Sequence, residues 1–350
     1  EFARQSPNAH KESLRKIAQD LLRQGMLEQA VQHFIDANEK SIAAELTLTQ
    51  GDALLKKGNY AQMLGLLEPL KKFIKDDAAS RQKLENNVVF CHIRLGNYAA
   101  ARKILSAPGD EFAENDRAFW RIVLDTHDGN YLAGVNWATR DHPHVPSFAP
   151  ARIEAVLSVG RCLVECGQLS AALQLLMPTL SDPEILEWKS LHARVRILES
   201  DIHDLRGDTA LAIRSSAESV ALARTSEDNS ILIVALLVQA RRLMSEGDLS
   251  GAERAMTEAN RLARQGNYEG LQMRLDQATA WFGLTGGRFD DAIALSKRII
   301  SIAHNQPNMP RGISTAIQLD ALEMRQRALM LSAMLRKNSQ SRLDEFSEAV

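Results

Sequence analysis

Cysteine, net charge and long apolar runs are all scarce in this sequence, and each shortage excludes a class of protein. Three cysteines in 350 residues, two of them at helical spacing, cannot form the disulfide framework of a small secreted domain. A net charge of −2 without a concentrated Lys/Arg block disfavours a nucleic-acid surface. The longest apolar run, Ile231 to Val238, is far shorter than the roughly 20 residues of a membrane helix. We expect a cytoplasmic protein that contacts neither membrane nor nucleic acid.

Motifs that would indicate catalysis or metal binding are missing as well. The sequence has no phosphate-binding P-loop, no Gly-x-Ser-x-Gly elbow and no His-Glu-x-x-His helix. Asp141, His142 and His144 form the most suggestive group, but no second set of ligands accompanies them, so we interpret them as a solvated loop. Cys162 and Cys166 are interpreted as buried small hydrophobes rather than a redox or metal pair. We therefore expect a chain that is not an enzyme and has no cofactor.

The ends of the sequence indicate a domain cut from a longer protein. The first residue is not Met and no signal peptide follows it. Glu1 and Phe2 match the product of a common restriction site, so we treat them as a cloning remnant. We expect a disordered lead over 1–10, a single domain over 11–337 and a tail or linker over 338–350.

A motif with a turn glycine recurs along the chain and predicts eight helical hairpins. Each copy has a glycine after an amphipathic run, as in QGMLEQA from Gln24 and CGQLSAA from Cys166. The turn glycines are Gly25, Gly58, Gly96, Gly129, Gly167, Gly207, Gly247 and Gly287, of which the last four follow each other at intervals of 40. A glycine at this place supplies the left-handed residue that ends one helix, and the next helix begins within two or three residues.

Small residues keep the same register in the last four motifs. Seven positions before the turn glycine are Gly160, Ser200, Ala240 and Ala280, and five positions after it are Ala172, Ala212, Ala252 and Ala292. These residues could simply be good helix formers, but helix propensity has no reason to keep a 40-residue register. We expect close helix–helix contacts at these positions.

The remaining pattern is all-α. Apolar residues recur three and four positions apart, as at Leu169, Leu173 and Leu176, and no segment alternates like a strand. The absence of proline between Pro183 and Pro307 predicts long uninterrupted helices, whereas Pro143, Pro146 and Pro150 predict a bend or hinge at 141–150. The segment 313–337 lacks a turn motif and is predicted to be a closing helix.

Hairpins of 33 to 40 residues with small residues at fixed offsets resemble tetratricopeptide repeats (TPRs). Residues 11–70 further resemble the segment that follows the ATPase and winged-helix region in MalT-like, LuxR-type, ATP-dependent transcriptional activators. The matching residues are Gly25, Glu28, Ala30, His33, Ala37, Ala43, Ala44, Gly51, Leu54, Leu55, Gly58, Leu66, Leu67 and Leu70. The resemblance implies a TPR-like α-α superhelix, a solenoid of about eight hairpins closed by the C-terminal helix.

The same resemblance implies a function. The chain would be the signal-sensing, effector-binding domain of such an activator: an inducer in the concave groove would control self-association of the regulator. The implied partners are a small-molecule inducer or peptide and the nucleotide-binding and DNA-binding modules of the parent protein. Both modules are missing here, since there is no P-loop and no helix-turn-helix pattern after Lys337. The alternative is a free-standing TPR scaffold or chaperone that binds a protein or peptide partner.

Groove residues can be assigned by offset from the turn glycine, because TPR-like geometry places positions about minus thirteen, ten, six and two or three on the concave side. The candidate ligand-binding residues are Glu154, Arg161, Arg194, Asp201, Arg241, Arg274, Gln277 and Trp281. The same offsets add the apolar residues Leu157, Ile197, Val234 and Leu237, with Phe90 and Phe119 from earlier motifs. Such a lining could hydrogen-bond and stack a polar ligand, or it could be a solvated face without a ligand. We expect Arg241 and Trp281 to face solvent.

Overall fold

The computed structural model describes residues 7–74, 77–106, 111–139, 148–266, 271–305, 317–319 and 321–335, with the side chains of 7 and 111–115 excepted. Of the described residues, 87 % are helical and none lies in a strand. The all-α prediction is confirmed. The first helix begins at Pro7, so residues 7–10 are helical rather than part of a disordered lead. The expected tail at 338–350 lies outside the described residues.

The first half of the chain contains hairpins 1 to 4, numbered by their turn glycines. Their helices are α1 (Pro7–Arg23) and α2 (Leu27–Asp36), α3 (Lys40–Gln50) with α4 (Asp52–Lys56) and α5 (Tyr60–Leu70), α6 (Ala78–Arg94) and α7 (Tyr98–Leu105), and α8 (Glu111–His127) and α9 (Tyr131–Ala138). A 3-10 turn, Lys71–Phe73, follows α5. The segment 140–147, which contains Asp141, His142, His144 and most of the expected bend, lies outside the described residues.

Hairpins 5 to 8 form the second half and contain the longest helices. They are α10 (Ala149–Glu165) and α11 (Leu169–Leu180), α13 (Lys189–Leu205) and α14 (Thr209–Ser226), α15 (Asn229–Glu246) and α16 (Leu249–Gly266), and α17 (Gln272–Thr285) and α18 (Phe289–Asn305), with a short α12 (Pro183–Glu187) between hairpins 5 and 6. Helices of one hairpin pack together and against the neighbouring hairpin, as in a solenoid. The prediction of long helices in the proline-free region is confirmed.

The turn glycines adopt the left-handed backbone conformation that the sequence predicts for them. All eight have positive φ, from 73° at Gly167 to 90° at Gly247. A residue with a Cβ is strained in this region, because Cβ approaches the following carbonyl oxygen. The eight predicted hairpin turns are therefore confirmed at the level of the backbone.

The small residues of the 40-residue register lie where neighbouring helices touch. Ala240, Ala280 and Ser200 are fully buried, and so are the four alanines after the turns. The Ser200 hydroxyl donates to the Ala212 carbonyl at 2.8 Å, which joins α13 to α14. A Cβ on Gly160 would lie 3.0 Å from Leu198 Cδ2. The predicted close contacts are confirmed.

Aromatic rings form the centre of the core in hairpins 2 to 6. The ring of Phe90 lies 5.5 Å from that of Tyr60, 6.0 Å from those of Trp120 and Phe148, and 6.3 Å from that of Trp188, measured between centroids. Phe90 is fully buried. The assignment of Phe90 to the groove is therefore wrong: its ring faces the packed core between hairpins.

Three smaller expectations have mixed outcomes. Cys162 is buried as expected, but Cys166 is exposed, because it lies beyond the last turn of α10 at the edge of the hairpin. Phe119 is buried against Trp137, with 5.3 Å between ring centroids, so its assignment to the groove is also wrong. The closing helix is confirmed over 321–335, where Met324 packs against α17 and α18.

Within the described part of the chain, no helix is both long enough and apolar enough to cross a bilayer. In the same residues, no group of three or more His, Cys, Asp or Glu side chains is placed to hold a metal ion.

Candidate functional site

The superhelix curves so far that hairpin 2 touches the junction of hairpins 6 and 7. The hydroxyl of Tyr60, on α5, donates to Asp228 Oδ2 at 3.4 Å, across 168 positions of sequence. Beside it, Lys57 Nζ lies 2.8 Å from Glu227 Oε2. On the neighbouring surface, Lys56 Nζ lies 2.9 Å from Glu187 Oε2. We call the contact of Gly58 and Tyr60 with Asp228 the closure contact.

The acidic side of the closure contact is fixed by local structure. Asp228 caps α15 and accepts hydrogen bonds from the backbone N–H groups of Ser230 and Ile231 at 3.1 and 3.3 Å. The hydroxyl of Ser230 also donates to it, at 2.6 Å. Glu227, just before the cap, is left-handed with φ of 61°. Hairpin 2 therefore meets a carboxylate that is already oriented by its own helix.

The closure contact can be tested with two glycine substitutions that share the same backbone strain. Gly58 and Gly207 have φ of 79° and 80°, but a Cβ on Gly58 would lie 2.7 Å from Asp228 Cγ, whereas nothing lies within 4 Å at Gly207. We expect Gly207→Ala to lower the free energy of unfolding by about 1–2 kcal/mol. Gly58→Ala should cost about 1 kcal/mol more, because it displaces the helix cap. Chemical denaturation of both variants measures the difference, and equal losses would contradict the closure contact.

Behind the closure contact, arginines from different hairpins converge on one buried carboxylate. Glu154, on α10, is 1 % exposed and accepts a hydrogen bond from Arg194 Nη1 of α13. Nη1 of Arg94, on α6, lies 3.9 Å from Glu154 Oε1, and the Arg94 guanidinium lies 5.2 Å from the centre of the Tyr60 ring. Burial alone would raise the pKa of Glu154, but Arg194 and Arg94 outweigh it and hold that pKa below its usual value. Glu154 is therefore a charged anchor inside the superhelix.

Two further arginines, Arg161 on α10 and Arg274 on α17, act electrostatically on this region. Both are exposed to solvent. Desolvation by nearby protein atoms, together with the charges of Arg161 and Arg194, lowers the pKa of Arg274 to about 10. Arg274 remains protonated at neutral pH. Its electrostatic interaction with Arg161 and Arg194 indicates that side chains of hairpins 5, 6 and 8 lie near one another. We call Arg94, Arg161, Arg194 and Arg274 the interior arginines.

A pair of tilted rings lies among these charges. The rings of Tyr98 and His127 lie 4.6 Å apart between centroids, and they come from hairpins 3 and 4. Burial lowers the pKa of His127 to about 4, with Glu154 opposing the shift and Arg194 adding to it. The imidazole is therefore neutral at neutral pH and contributes no charge. Tyr98 interacts with Glu154, Arg194, Arg94 and Arg274, so the ring pair lies among the interior arginines.

Asp201 and Arg241 form an ion pair beside this cluster, and Asp201 opposes the lowering of the Arg274 pKa. Arg241 Nη2 lies 3.5 Å from Asp201 Oδ1, and the Arg241 side chain is half-exposed as expected. Asp201 also accepts a hydrogen bond at 2.5 Å from the fully buried Arg242. The guanidinium of Arg242 also bonds Asp204 at 2.6 Å and Ser200 at 3.1 Å. The carboxylate of Asp201 is therefore already shared between two cations.

The structure departs from the offset rule at several predicted positions. Trp281 is half-buried under the C-terminal segment, where it packs near Met324 and Ala328 and lies 5.5 Å below the Arg327 guanidinium. The expectation that Trp281 faces solvent is wrong, because the closing helix covers it. Gln277 is half-buried. The apolar residues of the minus-ten row, Leu157, Ile197 and Leu237, are buried in the core, and Val234 is partly buried against it.

Sequence reasoning missed Arg94, Tyr98 and His127. Arg94 and His127 both lie two residues before a turn glycine, at an offset that the TPR-like rule already includes. Applying that offset to hairpins 3 and 4 would have selected both residues. Tyr98 begins the second helix of its hairpin, and no sequence signal points to it.

Comparison with known proteins establishes the fold but assigns the chain to no family. No family model matches the chain, and no curated protein matches it. A solved structure of a Signal Transduction ATPase with Numerous Domains (STAND) protein with a tetratricopeptide repeat sensor, from Pyrococcus horikoshii, aligns with 97 % of this chain at a TM-score of 0.52 and 14 % identity. The alignment covers 54 % of that protein, so this chain corresponds to about half of its length.

A second solved structure, the TPR domain of P58(IPK), aligns with 93 % of this chain and 89 % of its own, at a TM-score of 0.29 and 14 % identity. The stronger match, together with the eight hairpins, establishes the fold. The chain has a TPR-like superhelical fold.

Proposed function

We propose that the chain is the signal-sensing domain of a cytoplasmic, ATP-dependent transcriptional activator of the MalT-like, LuxR-type class, and that it is not an enzyme. The observation that carries the proposal is the convergence of hairpins 3, 5 and 6 on buried Glu154, which accepts a hydrogen bond from Arg194 and lies 3.9 Å from Arg94. The rings of Tyr98 and His127, from hairpins 3 and 4, interact with the same charges. A concave site lined by a few convergent polar groups is what a small-molecule ligand requires. The resemblance of residues 11–70 supports the choice of class.

The proposed mechanism couples ligand binding to the closure contact. An inducer in the interior would contact hairpins on both sides of that contact and so favour one curvature of the superhelix. A ligand can shift such an equilibrium only by its difference in affinity for the two states. The change in curvature would alter packing against the nucleotide-binding module of the parent protein and thereby control self-association.

Native mass spectrometry of the chain after incubation with a small-metabolite extract tests the proposal. We expect a stoichiometric small-molecule adduct, and titration of the identified compound should change the sedimentation of the full-length parent protein. Binding of a peptide without any metabolite adduct would contradict the sensor proposal.

The second candidate function is a scaffold that binds a protein partner. It is favoured by apolar side chains on the C-terminal segment: Leu329, Met330 and Met334 are each about half exposed. Apolar surface of this kind marks contacts between proteins. The open reading frame of the parent gene discriminates between the two functions, because a P-loop upstream and a helix-turn-helix downstream are expected only for the sensor.

A further inference from the structure

A pocket between hairpins 1 and 2 has no part in the cluster around Glu154. Its volume is about 460 Å³, which lies within the range of small-molecule sites. Its walls come from the end of α2, the start of α3, the end of α5 and the 3-10 turn that follows α5. Leu70 is 1 % exposed and Ile35 is half-buried, so the apolar side of the pocket is anchored in the core of hairpins 1 and 2. We call this space the hairpin 1–2 pocket.

The local sequence fixes one wall of this pocket. Pro69 lies one residue before the end of α5, where it has no N–H to donate to the carbonyl of Gly65. The regular hydrogen bonding of α5 therefore stops, and the chain passes into the 3-10 turn Lys71–Phe73. This turn packs against both α3 and α5. The ring of Phe73 thereby lies near Lys40, the first residue of α3, whose Nζ is 5.1 Å from the ring centroid.

The pocket carries more positive than negative charge. Lys71 Nζ lies 2.6 Å from Glu68 Oε1, so this lysine already has a carboxylate partner. Among the residues that the structure describes, no carboxylate pairs with Lys40 or Lys72. Both ammonium groups instead lie beside Phe73, with Lys72 Nζ 5.6 Å from the ring centroid. Two unpaired cations are thus held near one ring, within reach of a single ligand.

The aromatic ring does not replace a counter-ion for these lysines. The attraction between an ammonium and a ring is weak at a solvent-accessible site, whereas a carboxylate or a phosphate accepts charge-assisted hydrogen bonds from the ammonium. Each lysine offers three N–H donors for such bonds. Beside them, Ile35, Pro69 and Phe73 offer apolar surface to the rest of a ligand. The pocket therefore suits a molecule with an acidic group at one end and a ring or short hydrocarbon chain at the other.

We propose that the hairpin 1–2 pocket binds a small organic anion, with its carboxylate or phosphate group between Lys40 and Lys72 and its apolar body against Phe73. This inference does not rest on the proposed sensing function. The pocket shares no lining residue with the region around Glu154, so the two sites can be tested separately.

Titration followed by saturation-transfer NMR of the ligand at low ionic strength tests the pocket, with phenylacetate and phenyl phosphate as anionic probes. The matched probes are benzyl alcohol, which has the ring without the charge, and acetate, which has the charge without the ring. We expect at least one anionic aromatic probe to bind about tenfold more tightly than either matched probe. Its affinity should fall when the NaCl concentration is raised to about 0.5 M, because salt screens the two ammonium groups.

Substitution of the lysines locates the bound anion. Lys40→Gln and Lys72→Gln should each weaken binding roughly threefold to tenfold, and the double variant should bind the anionic probes no more tightly than benzyl alcohol. The matched control is Lys103→Gln on α7, since Lys103 is exposed and its side chain makes no ion pair in the described structure. Its affinity should stay within about twofold of the parent chain. All these variants should melt within about 2 °C of the parent chain, because none of the three ammonium groups has a carboxylate partner to lose.

Three results would overturn the inference: neither anionic aromatic probe binds, benzyl alcohol binds as tightly as they do, or the double variant binds them as tightly as the control. Each of these results leaves the sensing proposal standing, because that proposal depends on Glu154 and the arginines around it.

Discussion

Phe90→Ala is expected to lower the free energy of unfolding by about 3–5 kcal/mol, as truncation of a buried aromatic side chain does. Phe90 is fully buried and its ring lies within 6.3 Å of four other aromatic rings. The substitution leaves a cavity at the point where hairpins 2 to 6 meet, and rigid neighbours such as Trp120 and Trp188 collapse into it poorly. Urea denaturation followed by circular dichroism measures the loss.

The position of Phe90 adds a second readout to this prediction. Its ring supports the edge of Tyr60, whose hydroxyl makes the closure contact. Phe90→Ala should therefore increase amide hydrogen exchange around Gly58 and around Asp228, although the two segments are far apart in sequence. The control is Leu132→Ala at a side chain that is 72 % exposed; it should change stability by about 0.5 kcal/mol or less. Equal losses for the two variants would mean that Phe90 is not the centre of the core.

The features that sequence predicted well are those that depend on one hairpin and its neighbour. A turn glycine is needed wherever a single residue must have positive φ, and all eight predicted turn glycines do have positive φ. A small residue such as Ala240 is selected by one close approach between adjacent helices. In a solenoid each unit contacts only its neighbours, so these requirements repeat along the chain and are visible as a period.

The closure contact could not be predicted in this way, because it depends on curvature summed over many hairpins. Each hairpin adds a small rotation, and only the total decides whether Tyr60 reaches Asp228. The electrostatic interaction between Arg161 and Arg274 depends on the same sum. The offset rule selected both arginines from local geometry, but nothing in the sequence indicates that hairpins 5 and 8 come near enough for these charges to interact.

The errors at the edges of the predicted groove have a different cause. The offsets treat every hairpin as an internal one, with its first helix open on the concave side. At hairpin 8 the closing segment packs near Trp281, so a position that would be open elsewhere becomes half-buried. At the minus-ten row, Leu157 and Ile197 turn into the core because their apolar side chains are more stable there. The polarity of a side chain therefore decides whether a residue at a groove offset lies on the concave side or is buried in the packed core.

Arg242 is the site of the second large expected effect. Its side chain is 1 % exposed and its three nitrogens bond Asp204, Asp201 and Ser200, all on α13 of the preceding hairpin. Removing one partner of a buried ion pair is costly, because the remaining charges lose their compensation. We expect Arg242→Ala to lower the free energy of unfolding by about 3–5 kcal/mol, measured by urea denaturation.

The neighbouring residue provides the control that identifies the cause. Arg241 lies on the same helix, pairs with the same Asp201 at 3.5 Å and is half-exposed, so Arg241→Ala should cost about 1 kcal/mol or less. Arg242→Met retains most of the apolar stem and loses only the charge and its hydrogen bonds. If Arg242→Met is as destabilising as Arg242→Ala, the loss comes from the uncompensated carboxylates. If Arg242→Met is nearly as stable as the parent chain, packing of the stem dominates, and the ion pairs between hairpins 6 and 7 contribute little to their stacking.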